Sequence, residues 1–309
     1  MTSPLVGCKW HNWGLVSDRT CVHSGNVPLR LLEGDGPKTA FVLGGGGNLG
    51  AIQVGMIRAL VDRGFIPDVV VGCSVGALNA ACLAADPTPD GVDRLEHVWK
   101  HLDGEAICPS GRLSGLFLLT RKYRSLQSND GLRRLIESSL PFRRFEDAKI
   151  PLHVVATSLR TGRERWFSSG SVVEPILASA ALPAIFPPVE INGEPLIDGA
   201  VVDNVPLTKA LTLGAERVFV LHVGNFDRPR RAPKRPIDAL LQSFSIARNY
   251  RFLAETAQER DDVDVVVLPS IDPGNVKYND FGRSPELIAR GRAMTASFLD
   301  AQEEAASSA

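Results

Sequence analysis

The sequence predicts an α/β fold built on a parallel sheet. Three observations lead there. Short apolar runs alternate with helix-like periodicities in the order strand, helix, strand, helix. The connections between them are short. Both of the first two strand-to-helix junctions are rich in glycine. A strand that returns parallel to its neighbour after a helix is the repeating unit of such sheets.

The first 36 residues show no clear periodicity and end in the loop-like Glu33-Gly34-Asp35-Gly36-Pro37. Thr39–Leu43 is a short apolar run, the pattern of a buried strand, and glycines break it at Gly44. From Ala51 to Arg63, Ile52, Ile57, Leu60 and Val61 fall near one helical face, while Gln53, Arg58 and Asp62 fall elsewhere. Gly64 then suits a C-terminal cap. Val69–Val71 is the next strand, followed by a Gly-Ser-Gly turn and a helix of small residues that stops before Asp86-Pro87.

The rhythm loosens over residues 86–150. Val92, Leu95, Val98, Trp99 and Leu102 form one helical stripe, and Leu132, Leu135 and Ile136 begin another. Between them Ser110–Ser128 reads as an insertion or lid, in which Gly115-Leu116-Phe117-Leu118-Leu119 would either face lipid or pack in the core. Strands return at Leu152–Thr157, Val218–Val223 and Val263–Leu268, with helices near 172–180, 237–257 and 285–299. Without repeats or an obvious linker, residues 38–300 read as one domain. Residues 1–37 form an N-terminal extension and 301–309 a frayed, disordered tail.

Composition narrows the function classes. The 309 residues carry a formal net charge of −1, with 44% hydrophobic and 22% charged. That balance suits a globular core and excludes a disordered or disulfide-dense chain. It argues against a general nucleic-acid binder, which would show a basic excess. Five irregularly spaced cysteines read as free thiols of a reducing compartment. The first 30 residues lack the continuous apolar stretch of a secretory leader, and Val69–Ala85 is too short and too interrupted to span a bilayer. A cytoplasmic location is therefore expected. Arg228–Pro236 holds five cations in nine residues and reads as a solvated loop, or as a docking element for an anionic membrane surface.

Gly44-Gly45-Gly46-Gly47-Asn48-Leu49-Gly50 lies between a strand and a helix. Glycines let a ligand approach the backbone, and the N–H groups at a helix start favour negative charge. That charge is either a nucleotide phosphate or a transient oxyanion. Gly45-x-Gly47-x-x-Gly50 fits the dinucleotide fingerprint, but the acidic residue expected at the end of the second strand is replaced by Gly-Cys-Ser.

Gly72-Cys73-Ser74-Val75-Gly76 follows that strand and precedes a helix, the context of a nucleophile elbow. Its serine needs a base. Of six histidines, only His222 follows a good candidate acid, and it sits within a strand, where a core position is the simpler reading. Asp198, in Glu194-Pro195-Leu196-Ile197-Asp198-Gly199-Ala200, is the better base. Gly199 and Ala200 leave room beside it, and partial burial would strengthen it.

These elements together resemble the patatin-like phospholipases over roughly residues 38–225. The resemblance rests on the glycine loop Gly45–Gly50, the elbow around Ser74, the segment from Ala178 to Pro188, the tripeptide Asp198-Gly199-Ala200, and Asn204-Val205-Pro206 after it. It implies a three-layer α/β/α fold with a central, mainly parallel sheet. It also implies a Ser–Asp dyad without histidine: Ser74 as nucleophile, Asp198 as base, and the Gly45, Gly46 and Gly47 amides as oxyanion hole. Asn48 and Gly50 would complete the substrate-binding loop, Gly72 and Gly76 the elbow, and Gly199 and Ala200 the surroundings of the base. Leu49 departs from the family pattern, which carries Arg or Lys there, so ester hydrolysis is better supported than phospholipid specificity. The implied activity is hydrolysis of fatty-acyl esters of lipids, with no metal or organic cofactor and with peripheral membrane contact. A Ser–Asp–His esterase using His222 and a non-catalytic lipid- or nucleotide-binding protein are the alternatives.

Two weaker signals remain. Cys8, His11, Cys21 and His23 could together hold zinc, but the second pair is tightly spaced and ordinary loop residues explain all four. Cys73 reads as a small packing residue rather than a reactive thiol.

Overall fold

A computed structural model of the chain describes residues 23–24, 39–107, 125, 127–224, 232–233, 236–256, 263–274 and 280–307. Cys8, His11, Cys21, the segment Gly115–Leu119 and nearly all of the basic run 228–236 lie outside the described residues.

Among the described residues nine strands form one sheet: β1 (His23–Ser24), β2 (Thr39–Leu43), β3 (Val69–Cys73), β4 (Leu152–Ser158), β5 (Glu164–Phe167), β6 (Val189–Ile191), β7 (Glu194–Asp198), β8 (Arg217–Leu221) and β9 (Asp264–Val267). Their order is β1-β9-β8-β2-β3-β4-β7-β6, with β5 also paired to β4. The five central strands β9, β8, β2, β3 and β4 are parallel. Antiparallel pairs flank them on both sides, so the sheet is mixed, with a parallel centre.

The strand alternation explains the layering. Phe41, Leu43, Val70, Phe219 and Leu221 face one core. On that side lie the helices α1 (Gly50–Val61), α2 (Val75–Ala85), α3 (Pro89–Lys100), α4 (Gly104–Ile107), α5 (Asp130–Ser139), α6 (Val173–Ser179) and α9 (Ser284–Ser307). Ala40, Val42, Val71, Val218 and Val220 face the other, which α7 (Leu207–Thr212) and α8 (Pro236–Thr256) cover through Leu207, Ala210 and Phe252. The three-layer α/β/α arrangement follows.

Two expectations change. Helix α1 is buried all round rather than on one face, with Gln53 fully buried and Arg58 nearly so. The cause is α9, which crosses it closely. A Cβ on Gly55 would lie 2.1 Å from the Ile288 carbonyl oxygen, and one on Gly291 would lie 2.5 Å from that of Ile52. Arg58 tolerates this burial because Glu96 (3.0 Å), Asp62 (3.5 Å) and Asp93 surround its guanidinium. The tail expected to fray from residue 301 is instead helical to Ser307, in a stretch rich in the strong helix formers Ala, Gln and Glu.

The register across β3, β4 and β7 bears most on function. Cys73 pairs with Val155, and the next residue of β4, Ala156, pairs with Asp198. The chain end of β3 and the chain end of β7 are thereby brought to one level across a single intervening strand.

Candidate active site

Ser74 joins β3 to α2 with φ 54° and ψ −126°, a positive φ that a residue with a Cβ adopts only when its surroundings impose it. The surroundings here are backbone. A Cβ on Gly76 would fall 2.2 Å from the Leu43 carbonyl oxygen, and one on Gly72 would fall 2.6 Å from the Ala77 Cα. Only glycine fits on either side. The Ser74 N–H donates to Ser179 Oγ at 2.8 Å, which ties the elbow to the end of α6.

The Ser74 hydroxyl donates to Asp198 Oδ2 at 2.8 Å. The other carboxylate oxygen, Oδ1, accepts the Ala200 N–H at 2.8 Å, and Thr157 Oγ1 donates to the Asp198 carbonyl at 2.8 Å. Gly199 packs so close that a Cβ there would lie 2.4 Å from the Val155 carbonyl oxygen. Asp198 is 2% exposed. Burial pushes its carboxyl up to about 6, while the Ala200 N–H, the Ser74 hydroxyl and the Arg248 charge pull it back down. A carboxylate in that range is ionised at neutral pH and basic enough to take a proton.

In the glycine loop, Gly44 N–H donates to Leu221 O at 3.1 Å and Gly45 N–H to Asn204 O at 3.0 Å. Gly45 is therefore not an oxyanion donor, because its amide is already occupied in holding the loop to the segment after Asp198. The Gly46 and Gly47 amides have no partner among the described residues, and both residues line the cavity that contains Ser74. Gly47 has φ +60°, the left-handed region that glycine enters without strain. Asn48 is buried and donates from Nδ2 to Asp280 O at 2.8 Å, so it anchors the loop rather than facing substrate alone. At Gly50 a Cβ would strike Val75 Cγ2 at 2.6 Å and the Trp99 ring at 2.8 Å.

A buried polar chain behind the loop has no counterpart in the sequence reading. Gln53 Nε2 donates to Gly44 O (2.6 Å) and Leu221 O (2.9 Å). Asn79 Nδ2 donates to Gln53 Oε1 (2.9 Å) and Gly50 O (3.1 Å), and Trp99 Nε1 donates to Asn79 Oδ1 (2.8 Å). The available signal is Gln53 among the mainly apolar residues of α1 and a lone Asn79 in the otherwise apolar α2. Such groups persist in a core only when bonded.

The cavity beside the pair is about 260 Å³ and mostly apolar, walled by side chains such as Leu78, Trp99, Leu135, Ile176, Phe186 and Phe281. Its only cation among the described residues is Arg248 of α8. His222 does not line it. That ring is buried against Phe252 with centroids 5.3 Å apart, and burial lowers it to about 4. Cys73 is fully buried, and burial holds its thiol well above the ordinary range, in keeping with a packing role. Among the described residues no group of His, Cys, Asp and Glu could hold a metal ion.

The site thus brings a hydroxyl bonded to a buried carboxylate beside two open amides and an apolar cavity. The chain belongs to the patatin-like phospholipase family, whose profile matches residues 41–211, more than half its length. It is 31% identical over 198 residues to lysophospholipase nte1 of Aspergillus terreus, a match covering 62% of this chain and 12% of that one. It is 29% identical over 200 residues to the rat patatin-like phospholipase domain-containing protein 7, covering 64% of this chain and 14% of that one. The chain thus spans about an eighth of the length of these curated relatives. Among solved structures, VipD from Legionella pneumophila has 17% identity and a TM-score of 0.45, covering 86% of this chain and 67% of that one. Human GIVD cytosolic phospholipase A2 has 14% identity and a TM-score of 0.42, covering 88% and 59%.

Proposed function

We propose that this chain hydrolyses fatty-acyl esters of lipids through a Ser74–Asp198 dyad. The observation that carries the reading is the 2.8 Å bond from Ser74 Oγ to Asp198 Oδ2, at the wall of an apolar cavity. Asp198 takes the hydroxyl proton as Ser74 Oγ attacks the ester carbonyl. The Gly46 and Gly47 N–H groups stabilise the resulting oxyanion. Collapse breaks the bond to the alcohol, and Asp198 returns the proton to that leaving oxygen. Water repeats the sequence on the acyl-enzyme: Asp198 takes its proton, the fatty acid departs and Ser74 regains its hydrogen. Apolar walls supply the binding energy for the acyl chain.

A fluorophosphonate reacts only with an activated serine, so it should label the wild type at Ser74 and leave Ser74→Ala and Asp198→Asn unlabelled. Retained ester turnover in folded Ser74→Ala would overturn the assignment. Continued turnover in His222→Ala is expected, because His222 does not line the cavity and its ring packs against Phe252.

The lipid reading extends to peripheral membrane contact. Ile246, Tyr250 and Leu253 lie along one exposed stripe of α8, at 48%, 76% and 48% exposure, on the helix that also sends Phe244 and Arg248 into the cavity. Among the described residues no helix is long and apolar enough to cross a membrane. Contact would therefore be made at the surface. Replacing all three residues with Glu should reduce co-sedimentation with phosphatidylglycerol vesicles while preserving turnover of a water-soluble ester. Equal sedimentation would refute the contact.

A further inference from the structure

A second cavity, of about 480 Å³, opens between α3 and the C-terminal ends of α2 and α5. No residue lines both it and the cavity beside Ser74. Leu95 and Val98 of α3, with Leu140 and Pro141 after α5, supply apolar walls. Gly91 lets the segment between α2 and α3 close in on one side, since a Cβ there would fall 1.9 Å from the Asp86 carbonyl oxygen.

The charged residues lining this cavity are Asp86, Arg94 and Lys149. One Asp86 oxygen accepts from Lys149 Nζ at 2.7 Å and the other accepts from Arg94. The Lys149 bond above all holds the Asp86 carboxyl below the usual carboxylate range, so it stays ionised. Two cations therefore meet one anion, and the lining carries one positive charge in excess. A guanidinium has five N–H donors and an ammonium three. Among the described residues each of these cations commits a single donor, to Asp86, and their side chains are 64% and 62% exposed. Ser139 adds a buried hydroxyl that has no hydrogen-bond partner among the described residues, whereas the neighbouring Ser138 donates to Leu135 O at 3.1 Å. A buried hydroxyl left alone calls for a partner from outside the chain.

We propose that this second cavity is a binding site for an alkyl monocarboxylate. One negative charge balances the excess, where a phosphate dianion would overshoot it. Arg94 and Lys149 donate to the carboxylate oxygens, and Ser139 Oγ supplies a further donor. The alkyl chain lies along Leu95, Val98 and Leu140. An alkyl alcohol would meet the same walls but leave the charge unmatched. The site stands apart from ester hydrolysis, since none of these residues lines the cavity beside Ser74.

The test uses octanoate and an octanoate bearing a terminal diazirine, with 1-octanol as the uncharged control. After irradiation of the full chain, fragmentation mass spectrometry should place the label on residues such as Val98, Ser139 and Leu140. Label confined to Leu78, Ile176 and Phe186 would put the carboxylate in the cavity beside Ser74 and overturn the proposal. Octanoate should displace the label at concentrations about tenfold or more below those of 1-octanol. Equal displacement by the two would reduce the site to an apolar hole, and stronger displacement by octyl phosphate would make it a phosphate site; either result overturns the carboxylate. Arg94→Gln and Ser139→Ala should each weaken displacement by octanoate about tenfold and leave that by 1-octanol unchanged. If both variants melt as the wild type does and bind octanoate as well, Arg94 and Ser139 serve packing alone and the proposal fails. Should Arg94→Gln fail to fold, Ser139→Ala decides alone, an unmoved octanoate affinity counting against.

Discussion

The burial of Asp198 should be visible in two independent measurements. Its carboxyl is raised from 3.8 to about 6, roughly two pH units, which at about 1.4 kcal/mol per unit amounts to ~3 kcal/mol. The sign is fixed by linkage. An acid whose folded pKa is raised favours the folded state when protonated, so stability is fully present below about pH 4 and is lost as pH rises to about 6. Asp198→Asn cannot ionise and escapes that loss. The stability of the variant relative to wild type should therefore be greater at pH 8 than at pH 4, by up to ~3 kcal/mol. The difference between the two pH values cancels any constant effect of the substitution, such as a weakened bond to Ala200. Urea midpoints at pH 4 and pH 8 supply the numbers. Catalysis needs the ionised form, so kcat/KM on a soluble ester should rise with pH through about 6 and level off above it. An acid limb below pH 4.5, or a relative stability that does not change with pH, would refute the argument.

Three further outcomes follow from the geometry. Gly45→Ala would place its Cβ 3.0 Å from the Ser74 Cβ and 2.7 Å from Asn204 Oδ1, so turnover should fall by about a hundredfold or more while thermal melting shows a folded protein; near-normal turnover would count against the loop geometry. Asn79→Leu strands Trp99 Nε1, Gln53 Oε1 and Gly50 O, and should cost on the order of 3–5 kcal/mol in urea unfolding; a loss below ~1 kcal/mol would show that the chain behind the glycine loop is not a unit. Arg251 bonds Glu255 (2.8 Å), Glu164 (3.0 Å) and the Val202 carbonyl, and stands 3.7 Å from buried Asp203, whose carboxyl burial raises to about 8. Arg251→Gln would raise that carboxyl further, so the variant should be more destabilised at pH 10 than at pH 6, and an equal loss at both would show that Asp203 does not feel Arg251.

The parts of this molecule that sequence periodicity made legible are those where neighbours in the chain are neighbours in space. Thr39–Leu43, the two glycine-flanked turns and the helix after Ser74 came out with boundaries within a residue or two, because local sterics decide them. Helix α1 misled for the opposite reason. The polar Gln53 and Arg58 suggest a solvated face, yet α9, more than 220 residues later, crosses over it. The hairpin that carries Asp198 showed only as a short apolar run, since β6 has three residues and no period to read. The approach of Ser74 to Asp198 is legible in motif order, whereas the occupied amide of Gly45 is not. That depends on Asn204 O, a partner 159 residues away whose approach no spacing encodes. Arg248 carries no signal in the sequence, because nothing in a helical stretch marks which turn will meet a cavity.

The pairing of Ala156 with Asp198, one step along β4 from the pairing of Cys73 with Val155, makes the Ser74–Asp198 contact a gauge of assembly. A slip of one residue between β4 and β7 would turn Asp198 to the opposite face of the sheet and leave Ser74 without its acceptor. Covalent capture at Ser74 would then measure more than reactivity. During refolding, the rate at which the serine becomes labelled should report when β3 and β7, on either side of β4 and far apart in the chain, have locked into phase, a kinetic event that helix content would pass over in silence.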